Sequence, residues 1–204
     1  MRHEAHLGQR LRIRLLWMAP MILGMLSLVR VEASAATTTC LGMTTTITGT
    51  SASERIEGTS GDDVIAGLGG ADIIFAGEGN DVVCGNDGSD IIDGGSGNDM
   101  MIGGAGSDSI TGVDGNDFLR GGTGADNLDF GDEENGDDQV YGGIGNDDLH
   151  AGVGVDQLFA GPGDDFLAAG EVDAPLVDLF AGGNGTDTCF AGVEDDVRGC
   201  EITS

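Results

Sequence analysis

An all-β solenoid of two short-stranded parallel sheets is the fold class this sequence predicts, and three observations predict it. A nine-residue frame repeats head to tail, as in Gly94-Gly95-Ser96-Gly97-Asn98-Asp99-Met100-Met101-Ile102 and then Gly103-Gly104-Ala105-Gly106-Ser107-Asp108-Ser109-Ile110-Thr111. Twelve such units from Gly58 to Ala168 all keep Gly at the fourth position, Asp at the sixth and an apolar residue at the eighth. Gly accounts for 39 of 204 residues, without a Gly-X-Y triplet and with only three Pro, which excludes collagen. So dense a spacing of Gly also opposes helix, at about 1 kcal/mol per Gly against Ala. A fixed period this short means that each unit is stable only when stacked on its neighbours.

The N-terminus differs from everything after it. Arg10, Arg12 and Arg14 precede the apolar run Leu15 to Val29, and Ala33-Ser34-Ala35 supplies a small-x-small cleavage site. That order predicts a secretory signal peptide over residues 1–35, with an apolar stretch short for a membrane span. Its removal leaves three Arg against 34 acids, a net charge of -31 in place of the full chain's -28. So acidic a chain repels phosphate backbones and anionic lipid, so neither nucleic acid binding nor membrane insertion is expected. Large apolar side chains are too few for a thick core, so another force must hold the chain together.

Residues 36–57 read as an N-terminal cap followed by a degenerate unit, Gly49 to Glu57, in which Glu54 replaces the Asp. Four Cys remain in the exported chain, Cys40, Cys84, Cys189 and Cys200, and an even count there favours disulfides in one of three connectivities. Two lie near each end of the array, so the economical pairing is Cys40–Cys84 and Cys189–Cys200. No Cys-x-x-Cys or Cys/His cluster exists, which argues against zinc.

The array itself spans residues 58–190. In each unit the first six residues are turn chemistry and the last three a minimal strand, whose eighth position points inward. The inward set is Ile65, Ile74, Val83, Ile92, Met101, Ile110, Leu119, Leu128, Val140, Leu149, Leu158 and Leu167. Two units make one coil, and each unit sits above the one eighteen residues earlier. Stacking then puts Asp63, Asp81, Asp99 and Asp117 in one column and Asp72, Asp90, Asp108 and Asp126 in the other. Neighbouring coils lie about 4.8 Å apart, a distance at which bare carboxylates repel at every step. A hard divalent cation between coils reverses the sign of that interaction. Calcium takes six to eight oxygens, backbone carbonyls included, in irregular geometry, and fits better than magnesium with its stricter octahedron.

These units resemble the haemolysin-type calcium-binding repeats of the repeats-in-toxin (RTX) family, with consensus Gly-Gly-x-Gly-x-Asp-x-(apolar)-x, over roughly residues 49–190. The resemblance implies a right-handed parallel β-roll of nonapeptide calcium-binding repeats, here with disulfide-stapled ends. It implies several Ca2+ ions, each between turns eighteen residues apart and held by sixth-position Asp and turn carbonyls. Carried onto this chain, the ligand set is the two columns above together with Asp138, Asp147, Asp156 and Asp165. Turn carbonyls such as those of Gly94, Gly97, Gly103, Gly106, Gly121, Gly124, Gly142 and Gly145 complete it. Departures are Ala76, Ala151 and Ala160 for the first Gly, a three-residue insertion at Phe130-Gly131-Asp132 (130–132), and a longer one within 169–177. Gly182 to Asp187 restores the turn consensus, Arg198 is expected at an inward position, and residues 191–204 read as a C-terminal cap held by Cys189–Cys200.

No catalytic residues are expected. The exported chain keeps one His, His150, at an outward strand position where a solvated surface role is expected, and it lacks His-Glu-x-x-His. The function these features predict is a secreted, extracellular, non-catalytic calcium-binding protein whose folding is coupled to the metal. The competing reading is an adhesin-like surface or matrix protein, with the loaded roll as scaffold and an extracellular protein or glycan as partner. Outward positions Val64, Ala66, Val82, Cys84, Met100, Ile102 and Phe118 form an apolar patch. Residues 36–46 are expected to fold over its first part, with Leu41 or Met43 as cover, leaving Met100, Ile102 and Phe118 as a docking surface.

Overall fold

The computed structural model describes residues 38–130, 136–168, 177–191 and 195–202. Residues 1–35, expected to be a signal peptide, lie outside the described residues, as do most of the 169–177 insertion and part of the expected C-terminal cap. The described residues form a parallel β-solenoid of about eight turns without a helix, so none is long and apolar enough to cross a membrane.

Two nine-stranded parallel sheets face each other. The first, called here the Val64 sheet, runs through Ile47–Thr48, Val64–Gly69, Val82–Asp87, Met100–Ala105, Phe118–Thr123, Gln139–Ile144, Gln157–Pro162, Leu179–Asn184 and Asp196–Arg198. The second, the Ile73 sheet, runs through Arg55–Glu57, Ile73–Glu78, Ile91–Ser96, Ser109–Asp114, Asn127–Asp129, Asp148–His150, Phe166–Ala168, Thr188–Phe190 and Glu201–Ile202. Register follows the eighteen-residue coil, with Ile65 beside Val83, Val83 beside Met101, and Ile74 beside Ile92. Every member of the expected inward set is buried, and together they form one continuous thin core.

Ten of the twenty strands among the described residues are six residues long rather than three, because they continue through the first three positions of the next unit. Alternation then turns the first position inward beside the eighth, which is why only Gly or Ala is found there in most units. Ala76, Ala151 and Ala160 are all buried at that position. Phe130 is the exception. It reaches this inward register at the start of the insertion, is fully buried, and lies over Gly112, where a Cβ would come within 2.5 Å of its ring. The fourth-position Gly is fixed by the backbone. At Gly97 φ is +135°, and a Cβ would sit 1.9 Å from the carbonyl oxygen of Gly79 in the coil before.

Both disulfides join the Cys pairs expected from their positions in the chain, Cys40–Cys84 and Cys189–Cys200. Strands Thr39–Cys40 and Met43–Thr44 form a small antiparallel hairpin tied to the Val64 sheet through Cys84. Cys40, Ala66 and Cys84 are buried there, but Leu41 is 53% and Met43 40% exposed. The lid thus exists without the expected cover residues, because Leu41 and Gly42 form the hairpin turn, both at positive φ, and point away from the sheet. Arg198 is also misplaced by the repeat count. The last coil is one residue short, with Asp178 bonded to Asp195 seventeen residues on. Val197 therefore pairs with inward Phe180, and Arg198 turns to solvent and pairs with Asp196.

Candidate metal centre

All twelve expected ligand carboxylates are buried, and the coil stacking aligns them in the two expected columns. All but Asp63 are gripped in the same way. The backbone N–H of one Asp donates to Oδ1 of the Asp in the next coil, at 2.8 Å from Asp81 to Asp99 and 2.7 Å from Asp99 to Asp117. In the other column the bonds are 2.8 Å from Asp72 to Asp90 and from Asp90 to Asp108, and 2.9 Å from Asp108 to Asp126. The insertion does not break this chain. Asp117 still donates to Asp138 at 2.7 Å and Asp126 to Asp147 at 3.0 Å, now 21 residues apart. Asp138, Asp147, Asp156 and Asp165 continue it.

The other oxygen, Oδ2, is the chemically telling one. In Asp72, Asp81, Asp90, Asp99, Asp108, Asp117, Asp126, Asp147 and Asp165 it is buried and has no hydrogen-bond partner among the described residues. In seven of these nine it lies over the first-position Gly of its own unit, so that a Cβ on Gly94 would fall 2.6 Å from Oδ2 of Asp99, and one on Gly103 2.3 Å from that of Asp108; the units of Asp81 and Asp165 have Ala76 and Ala160 there. Fourth-position carbonyls face the fourth position of the next coil. The carbonyl oxygen of Gly97 would lie 1.8 Å from a Cβ on Gly115, and that of Gly106 1.7 Å from one on Gly124.

A buried ionised oxygen without a partner is costly unless a charge is supplied. Burial, followed by repulsion from carboxylates one coil away, pushes Asp99, Asp108 and Asp117 up to about 6, against the pull of the single backbone hydrogen bond. Asp138, Asp147 and Asp165 reach the same value, again with burial as the first cause. The residues present fit a hard divalent cation, since every donor is oxygen and each column holds unspent negative charge. Among the described residues no three acidic, His or Cys side chains converge on one point. A cation here would therefore take few carboxylates and draw the rest of its shell from backbone carbonyls and water.

Two buried column members are absent from the expected ligand set. Asp178 and Asp187 are buried, accept the backbone N–H of Asp156 and Asp165, and extend the columns by one coil. The consensus Gly182-Gly183-Asn184-Gly185-Thr186-Asp187 announces Asp187, whereas Asp178 follows an insertion and has Leu176 in place of the fourth-position Gly. His150 lies half-buried on the outer surface of the Ile73 sheet, 2.8 Å from Asp148 and against the Phe166 ring.

Such a stack of Gly/Asp turns between two parallel sheets defines a β-roll of the calcium-binding type. The model of the RTX calcium-binding nonapeptide repeat matches residues 48–83, 85–110, 102–133, 134–170 and 178–197, and the chain belongs to this family. Comparison with curated proteins returns no significant match.

Proposed function

We propose that this is an exported, non-catalytic calcium-binding protein in which the metal sites are the structure. The observation that carries the reading is the row of buried Oδ2 atoms without partners, repeated coil after coil in both columns. Asp72, Asp81, Asp90, Asp99, Asp108, Asp117, Asp126, Asp138, Asp147, Asp156 and Asp165 are the proposed ligands, to which the stacking adds Asp187; Asp63 leaves the set, because Thr46 and Thr59 already engage both its oxygens. When bound, calcium supplies the positive charge that neutralises stacked carboxylates. This chain's own residues do the rest. Backbone N–H groups orient each carboxylate through Oδ1, and first-position Gly leaves room for Oδ2. Fourth-position Gly lets the coils approach closely enough for its carbonyl to face the next coil. Unfolded, the chain has no such sites, so binding free energy is folding free energy. Export is supported by the residue order of positions 10–35 and by two disulfides that suit an oxidising compartment. Calorimetric titration of the metal-free chain tests the reading. Several calcium ions bound per chain, at affinities of about 0.1–1 mM and with little response to magnesium, are expected; no heat beyond weak nonspecific binding contradicts it.

A second reading, an extracellular interaction protein built on the same roll, is favoured by one surface. Among the described residues, the outward seventh and ninth positions of the Val64 sheet from Val64 to Ala181 carry no carboxylate, in a chain with 36 acids. They include Met100, Ile102 and Arg120, and the ring stack of Phe118, Tyr141 and Phe159. A protein or glycan partner would dock there, and pull-down with calcium and with chelator tests it.

A further inference from the structure

The first turn of the Val64 sheet's column is closed differently from those that follow. Oδ2 of Asp63 accepts the backbone N–H of Thr59 at 2.7 Å and its hydroxyl at 2.8 Å, while Oδ1 accepts the Thr46 hydroxyl at 2.8 Å. Thr59 holds the second position of its unit. The following units place Leu68, Gly77, Asn86, Gly95, Gly104, Val113 and Gly122 there, none with a hydroxyl. Threonine therefore supplies to Asp63 what Asp81, Asp99 and Asp117 lack at Oδ2.

The other column begins in a related way. Glu54 stands where later units have Asp, and its longer side chain reaches back to its own turn, accepting the backbone N–H of Thr50 at 2.6 Å. Its backbone N–H donates to Oδ1 of Asp72, so it still presents the next coil with the standard contact. The same end carries the Cys40–Cys84 disulfide, which spans 44 residues and ties the leading hairpin to the second coil. A cross-link over such a loop removes much of the unfolded chain's freedom. At the opposite end, among the described residues, the buried Oδ2 of Asp187 has no hydrogen-bond partner and no Thr closes its turn.

We propose that the first coil, residues 46–66, closes without a cation through its Thr46, Thr59 and Glu54 contacts, and serves as the template on which the calcium-dependent coils stack. Filling then runs from the N-terminal end toward Asp187. A nucleus is what such an array otherwise lacks, since a unit without a stacked neighbour is unstable. The inference rests on the calcium reading above, and the experiment separates the two.

Hydrogen–deuterium exchange of the full oxidised chain is followed by mass spectrometry in excess chelator and in saturating calcium. Peptides covering residues 46–66 are expected to be protected in both conditions, and those covering 90–168 only in calcium. If 46–66 exchanges in chelator as fast as 90–168 while calcium protects both, the template inference is overturned and the calcium reading stands. Protection of the whole array in chelator, or of none of it in calcium, overturns the calcium reading itself. The double variant Thr46→Val, Thr59→Val keeps side-chain shape and removes the hydroxyls. It is expected to lose protection of 46–66 in chelator by about tenfold or more and to regain it in calcium. Thr59→Ser, which retains a hydroxyl, should behave as the unaltered chain. Undiminished protection in the double variant would overturn the role assigned to the hydroxyls.

Discussion

The backbone N–H of Asp99 donates a 2.7 Å hydrogen bond to Oδ1 of Asp117, one coil further on. Each interior carboxylate is thus oriented by the main chain of the coil before it, with Oδ2 left over for a cation. Asp99→Ala removes this Oδ2 and also strands the Asp81 N–H, a loss of about 1–3 kcal/mol for the unmet donor alone. Asp108→Ala does the same in the other column. Both should raise the calcium midpoint of folding several-fold, and Asp63→Ala, at a hydroxyl-closed turn, should raise it less. Equal midpoints for the three variants would contradict stacked, shared sites.

The two kinds of Gly should respond unequally to Ala. Gly97 has φ +135° and no space beside the Gly79 carbonyl, so Gly97→Ala should cost about 2–4 kcal/mol. Gly94 has no positive φ, and a Cβ there would meet the Asp99 carboxyl at 2.6 Å, the Gly112 carbonyl oxygen at 2.8 Å and the Met101 tip at 2.9 Å. Ala occurs naturally at the equivalent positions 76, 151 and 160, so Gly94→Ala should cost about 1 kcal/mol. Thermal unfolding in saturating calcium measures both.

Val113 occupies a second position with φ +81°, a conformation costly for a β-branched residue. Relief of about 1–3 kcal/mol of strain in Val113→Gly exceeds the roughly 0.4–1 kcal/mol that added freedom in the unfolded chain takes back. The variant should therefore fold at lower calcium; a higher midpoint would show that the Val side chain contributes more by packing than its backbone costs.

Acid and calcium should act as substitutes. Without metal, the carboxyls of Asp99, Asp108, Asp117, Asp138, Asp147 and Asp165 are raised from 3.8 to about 6. They hold protons more tightly in the coil than in the unfolded chain, so their contribution is full below 3.8 and lost as pH rises through about 6. In chelator, β structure should therefore grow as pH falls through this window. The calcium midpoint should rise over the same window, because protons compete for the ligand oxygens. Circular dichroism in chelator that stays flat between pH 7 and 4 would contradict this.

Much of the architecture was legible because the repeat writes it twelve times. Ile65 to Leu167 at the eighth positions and the two Asp columns follow from an eighteen-residue coil, and the two Cys pairs from their places near the ends of the array. What escaped depends on local counts and on single contacts. Phe130 enters the core because an insertion begins beside it, and a 17-residue final coil sends Arg198 outward and Val197 inward. Asp178 was hidden because Leu176 replaces its unit's Gly. The six-residue strands required seeing that first-position Gly alternates inward like a strand residue. The Thr59 closure of Asp63 is a matter of one hydroxyl in three dimensions, and nothing in the nine-residue pattern marks it.

The most direct test of the central claim, that cations between coils hold this roll together, is far-UV circular dichroism of the full oxidised chain through a calcium titration. In excess chelator the spectrum should show little β structure beyond the first coil, because the charge of the stacked carboxylates is unopposed. Calcium should then bring in the β spectrum steeply, as expected where each coil stabilises the next. A β-rich spectrum in excess chelator at pH 7, unchanged when calcium is added, would contradict the account.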